Sequence, residues 1–152
     1  MMIKQLLFGF IFSQMTLTSI FSQNISQTKN GILTVNIIDF ENDKGTAVVM
    51  LYKDGEGFPK SPDKAFKAMT VRIADKKAVA IFGNLLPGEY AISIYHDENG
   101  NKKMDTNFFG IPKEGVGNSN NAKGHFGPPK YSDAKFNFNG EKQTFTIKIV
   151  YL

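Results

Sequence analysis

Cysteine and tryptophan are absent from these 152 residues, histidine occurs twice, and Arg72 is the lone arginine among 18 basic residues. Without cysteine there is no disulfide scaffold, no thiolate zinc site, no cysteine nucleophile and no lipoprotein anchor on an N-terminal Cys. The formal charge of +4 is carried by scattered lysines. Nucleic-acid readers cluster their basic residues and rely on arginine for bidentate contacts, so we read a solvated lysine surface and no nucleic-acid partner. Also missing are a Walker loop, a His-Glu-x-x-His pair and a Gly-x-Ser-x-Gly elbow. The long apolar run of about 20 residues that a spanning helix needs is lacking as well.

What is present is 41% apolar residues, 14 of them Phe, with only 21% charged. That composition argues against disorder, and the length suits one domain with a real core. Lys4 precedes the short apolar stretch Leu6–Phe12, which Ser13 and Gln14 interrupt, and Ser19, Ser22 and Gln23 offer a cleavage zone. This pattern predicts a signal peptide over residues 1–23 and an extracytoplasmic, periplasmic or secreted, product. A short linker, 24–30, then leads to a single domain over 31–152, with no membrane span once the signal is removed.

From there the hydrophobic period is two. Leu33–Ile37, Ala47–Leu51, Met69–Ile73, Val79–Ile81, Tyr90–Ile94, Phe136–Phe138 and Phe145–Tyr151 each alternate apolar with polar or small residues. Turn chemistry separates them at Glu41–Gly45, Ala74–Lys77, Pro87-Gly88 and Asn139-Gly140, the last reading as a hairpin. One short helix is expected over Ser61–Lys67, capped by Ser61 and opened by Pro62, between strands two and three. The fold class is therefore all-β: a seven-stranded antiparallel sandwich of the immunoglobulin or prealbumin type.

Between strands five and six lie some 38 residues without periodicity, longer than ordinary loops and rich in Phe, Pro and Gly. We expect an ordered loop that carries whatever specific role the chain has. Its first segment sets oxygen ligands at alternate positions: Asp97, Asn99, Asn101 and Asp105, with the Lys103 carbonyl between them. A hard cation wants six to eight oxygens, and a tight turn can offer alternate side chains and carbonyls to one centre, so calcium is the candidate ion. Lys102 stands where a calcium loop has Gly, Phe108 stands where it has a bidentate Glu, and Glu114 is a candidate to complete the shell. The competing reading is a metal-free series of Asx turns. A second segment, with Asn120 and Asn121, could meet sugar hydroxyls or satisfy the loop's own backbone. His96 and His125 flank the loop, and together with Asp97 they make up the alternative, a small metal-dependent hydrolase.

Several stretches carry a family resemblance. Leu86-Pro87-Gly88-Glu89-Tyr90-Ala91-Ile92 runs into His96-Asp97-Glu98-Asn99-Gly100-Asn101. Asp105-Thr106-Asn107-Phe108-Phe109-Gly110-Ile111-Pro112-Lys113-Glu114-Gly115 follows, then Ser119-Asn120-Asn121-Ala122 and Phe126-Gly127-Pro128-Pro129. With Gly57-Phe58-Pro59 and Pro62-Asp63-Lys64-Ala65, the chain resembles the exported bacterial proteins grouped as domain of unknown function 2141, over residues 31–150. That family usually has Gly at the Lys102 position and often an aromatic at Asn118. The resemblance implies a secreted or periplasmic β-sandwich with no established activity, similar to prealbumin-like and carboxypeptidase-regulatory-like accessory modules. The expected role is a non-enzymatic binding or accessory domain, its partner an envelope protein or a carbohydrate.

Overall fold

The computed structural model describes residues 30–124 and 126–152. The segment read as a signal, residues 24–29 of the linker, and His125 lie outside the described residues. The chain folds as two β-sheets. Strands β1 (Gly31–Ile38), β4 (Ala78–Leu85) and β8 (Lys142–Lys148) form a three-stranded sheet in the order β4-β1-β8. Strands β2 (Thr46–Lys53), β3 (Lys67–Arg72), β5 (Gly88–Asp97) and β6 (Val116–Asn118) form the other in the order β3-β2-β5-β6, and β7 (Phe136–Phe138) also pairs with β5.

Alternation explains the core. Leu33, Val35 and Ile37 of β1 face inward, with Ala80 and Phe82 of β4 and Ile147 of β8, and they share one buried cluster with Val49 and Leu51 of β2 and Ile92 and Ile94 of β5. The opposite face of the first sheet is wet, with Val79 and Ile81 exposed. The second sheet differs, because its outer face is covered. Met50, Tyr52 and Tyr95 form a second buried cluster there, flanked by Val116 of β6 and roofed by Phe58, Ala65, Met104 and Tyr131 from the segments between strands. Strand β5 is consequently buried on both faces from Tyr90 to Asp97. The Tyr52 hydroxyl under this roof donates to the Ser61 carbonyl at 3.1 Å, and burial pushes its pKa up to about 12.

The structure corrects four expectations. There are eight strands among the described residues, since β6 lies inside the segment read as loop. The sheets are not wholly antiparallel: β1 and β8 run parallel, with Val35 opposite Phe145. Asn139-Gly140 makes no hairpin, because β7 pairs with β5 while β8 pairs with β1, so the turn carries the chain from one sheet to the other. The helix expected over 61–67 is a single 3-10 turn, Pro62–Lys64. Ala65 returns to extended geometry, and Lys67 pairs with Leu51 as the first residue of β3.

The long segment after β5 is ordered by β6, a 3-10 turn (Ser119–Asn121) and a one-turn helix α1 (Tyr131–Ala134). Strands β6 and β7 occupy successive lengths of one edge of β5, pairing with 93–95 and 88–90. The gap between them leaves the Ile92 N–H without a strand partner, and the buried Ser119 hydroxyl fills it. Its Oγ accepts from Ile92 N at 2.9 Å and donates to Ala134 O at 2.6 Å. A buried N–H left unpaired would cost about 1–3 kcal/mol, which is why a small hydroxyl suits this point. No helix among the described residues is long and apolar enough to cross a membrane.

Candidate functional site: the turn beyond strand five

Apolar alternation ends at Tyr95, but β5 continues through His96 and Asp97, paired with Ala47 and Thr46 of β2. Successive side chains of a strand point to opposite faces, so His96 turns inward while Asp97 shares the outer face with Tyr95. The two residues cannot serve one centre. His96 is fully buried, with its ring edge-on to Phe40 at 5.2 Å. Its Nε2 meets the Lys44 carbonyl at 2.7 Å and its Nδ1 meets the Tyr151 hydroxyl at 2.7 Å. A carbonyl only accepts, so Nε2 carries a proton, and in the Nε2–H tautomer Nδ1 accepts the Tyr151 O–H. The Tyr151 oxygen in turn accepts from Glu41 N at 3.1 Å. Sequence reasoning missed Tyr151 as the partner, because nothing local connects residues 55 positions apart. His96 and Asp97, grouped with His125 in the hydrolase reading, thus face opposite sides of β5, and His125 lies outside the described residues.

Asp97 begins the turn proper. It is 1% exposed, its Oδ2 accepts from Lys102 N at 3.0 Å, and its Oδ1 is buried with no hydrogen-bond partner among the described residues. Asn99 Oδ1 accepts from Asn101 N at 2.9 Å, and Asn101 Oδ1 accepts from Lys103 N at 2.8 Å, two successive Asx turns. Both amides then give their NH2 to Asp105: Asn99 Nδ2 lies 2.6 Å from Oδ2, and Asn101 Nδ2 lies 3.1 and 3.2 Å from the two oxygens. Glu114 closes the ring from the far side, accepting from Glu98 N at 3.2 Å through Oε1 and from Asp105 N at 3.0 Å through Oε2. Asn99, Asn101 and Asp105 thus join through their side chains, while Asp97 and Glu114 hold the same turn through its backbone N–H groups. Burial, then the negative charges of Asp97 and Glu114, push the Tyr95 phenol pKa up. Among the described residues no group of three or more His, Cys, Asp or Glu side chains is placed so that it could hold a metal ion.

The remaining candidates are drawn elsewhere. Asn120 Nδ2 donates to the Asp133 and Lys135 carbonyls at 3.2 and 3.0 Å, and Asn121 Oδ1 accepts from Lys148 N at 3.1 Å. Both sit at positive φ, +57° and +49°, which Asn tolerates better than most residues. Their amides tie the loop to α1 and β8.

Lys102 adopts φ +61° in the middle of the turn. An L-residue with a long side chain pays about 1–2 kcal/mol there, and glycine pays about 0.5–1 kcal/mol in unfolded-chain entropy instead. Lys102→Gly should therefore stabilise the protein by about 0.5–1 kcal/mol, read as a rise in the urea midpoint at unchanged slope. A lower midpoint would mean that the lysine side chain contributes something the backbone argument omits.

A two-sheet β domain whose long post-β5 segment closes a ring of carboxylate and amide groups at one end is the class these observations define. The chain belongs to the bacterial family described as "uncharacterized protein conserved in bacteria (DUF2141)", which matches over residues 35–146. No curated protein and no solved structure matches.

Proposed function

We propose that this chain is a non-enzymatic, extracytoplasmic binding or accessory module, an immunoglobulin- or prealbumin-type sandwich whose turn at residues 97–105 takes one calcium ion. The observation that carries the reading is the Asp97 carboxylate: one oxygen holds the turn through Lys102 N–H, and the other is buried without a partner. A buried unsatisfied oxygen is costly, and a cation would relieve it. Asp105 supplies a second carboxylate, the Lys103 carbonyl a main-chain oxygen, and Asn99 and Asn101 neutral oxygens once their amides turn from Asp105. An oxygen set with few carboxylates and no histidine suits a hard ion and not zinc. With two lysines in the same turn the affinity belongs at the weak end, about 10⁻⁴–10⁻³ M. Against catalysis stands His96, both of whose ring nitrogens are occupied within the fold. The partner classes remain an envelope protein or a carbohydrate.

The test is a thermal melt in EDTA, then in 10 mM calcium, with zinc as comparison. At ten to a hundred times the dissociation constant, calcium adds about 1.4–2.7 kcal/mol, a rise of roughly 4–8 °C for a domain of this size. Asp97→Asn keeps an acceptor for Lys102 N–H and should abolish the rise. The ion would also offset the negative charges beside Tyr95, moving its alkaline titration to lower pH. No shift with calcium would establish the turn as a self-satisfied Asx series. A hydrolytic activity lost in Asp97→Asn with the fold intact would overturn the non-enzymatic reading.

A further inference from the structure

The turn also carries a feature that calcium does not explain. Residues 107–111 project from it as a tight tip, rooted where Lys113 N donates to Asp105 O at 2.9 Å and Thr106 bridges to Pro112. Asn107 organises the tip. Its Oδ1 accepts from Phe109 N at 2.9 Å and from Ile111 N at 3.0 Å. Its main chain bonds Ile111 O at 2.8 Å and Gly110 N at 3.0 Å, with Gly110 at φ +75°. This fixed backbone holds Phe108 97% and Phe109 83% exposed, their rings edge-on at 5.5 Å, with Ile111 beside them also exposed. A loose loop could tuck two phenyl rings away. A loop fastened by four hydrogen bonds holds them in water, at a cost that only an apolar contact returns.

The charges near the tip have one available sign. Of the turn's acids, Glu98 faces Lys44, Asp105 takes the two amides, Glu114 takes two backbone N–H groups, and Asp97 is buried away from the surface. Lys102, Lys103 and Lys113 are exposed, and none has an ion-pair partner among the described residues. An apolar apex with free cations at its root is complementary to a bilayer that presents anionic headgroups over hydrocarbon. A protein partner would need a concave apolar cleft to receive two adjacent rings, whereas a bilayer accepts a convex tip as it stands.

We propose that the 107–111 tip seats the protein on an anionic lipid bilayer, with Phe108 and Phe109 entering the interfacial layer and Lys102, Lys103 and Lys113 facing the headgroups. The proposal needs no ion, so it is tested in EDTA, where the calcium reading plays no part. Because the chain has no tryptophan, Phe109→Trp places a single indole at the tip. With vesicles of phosphatidylglycerol and phosphatidylcholine its emission should shift to the blue and be quenched by brominated acyl chains. With phosphatidylcholine alone the response should be weak. In sedimentation with the anionic vesicles, the double substitution Phe108→Ala and Phe109→Ala should weaken binding at least about tenfold. Replacing Lys102, Lys103 and Lys113 by Gln should weaken it by roughly a hundredfold, at about fivefold for each lysine. Both sets change exposed side chains, and an unaltered melt verifies that the fold is kept. Sedimentation with an unshifted indole would assign binding to another segment and overturn the proposal. Absence of binding to either vesicle would overturn it too and leave the tip to a protein partner.

Discussion

Replacing His96 by alanine should lower the unfolding free energy by roughly 3–5 kcal/mol, a large part of the 5–15 kcal/mol available to a typical domain. The imidazole is fully buried against Phe40 and Tyr151, so truncation opens a cavity. It also strips a donor from the Lys44 carbonyl and an acceptor from the Tyr151 hydroxyl, both bonded at 2.7 Å. Each orphaned group adds its own penalty where water does not reach it. Tyr151→Phe should cost less, about 1–2 kcal/mol, since it removes one link while the ring and the Lys44 bond remain. Urea unfolding of both variants gives the comparison. A His96→Ala protein as stable as the parent would show that the imidazole is not held this way, and would return it to the list of groups free for chemistry.

That His96 is a structural residue was partly legible. A histidine at a strand end favours a hydrogen-bonding role, but the argument stops where the apolar alternation stops, at Tyr95. Extending β5 by two residues would have separated His96 from Asp97 by the pleat alone. Nothing in the local sequence asks for that extension. It comes from pairing with Thr46 and Ala47 on β2. The same limit explains the turn at Asn139-Gly140. Its local chemistry is as expected, with Gly140 at φ +80° and Glu141 N donating to Asn139 Oδ1 at 3.0 Å. Which sheet receives the next strand is decided by β1, more than a hundred residues earlier, and no turn residue encodes that.

Strand β6 was illegible for a different reason. It has three residues, one of them Gly117, and a period of two cannot be seen in so short a run. The glycine is there for space. A Cβ on Gly117 would lie 2.9 Å from Ile147 Cγ2 and from the Lys148 carbonyl, so β6 can approach β8 only without one. The bonds that join Asn99, Asn101 and Asp105, and the one from Lys102 N to Asp97, are local, spanning two to six residues, so this turn left a trace in the sequence. Glu114 also belonged on the candidate shell, although its two main-chain bonds reach back 9 and 16 residues. Asn107 gave the weakest signal: its role as organiser of an exposed tip appears only when four bonds converge on it.

Gly45→Ala is the second substitution expected to be severe, at about 3 kcal/mol or more. Gly45 adopts φ +62°, a conformation that costs an L-residue about 1–2 kcal/mol before any contact is considered. The contact is worse. A Cβ built there falls 1.9 Å from the Asp97 carbonyl oxygen and 2.7 Å from Glu98 Cα, both backbone, so no side chain can swing aside. Either the 41–45 connection lifts away from β5, or the chain at Asp97 and Glu98 moves. Lifting the connection would break the fastenings that Asn42 and Lys44 make to Glu98 and draw the Lys44 carbonyl from His96. Moving the chain would tilt the Asp97 carboxylate and loosen the Glu98 N–H bond to Glu114. Both routes disturb the start of the turn, so the variant should show a lower urea midpoint and, if the proposed calcium site forms, a smaller rise with calcium. Gly100→Ala is the control: Gly100 shares the positive φ, at +73°, but its Cβ would meet nothing within 4 Å. It should therefore lose only the conformational part, about 1–2 kcal/mol. Equal losses in the two variants would mean that backbone angle, and not the close approach of Gly45 to Asp97, sets the cost.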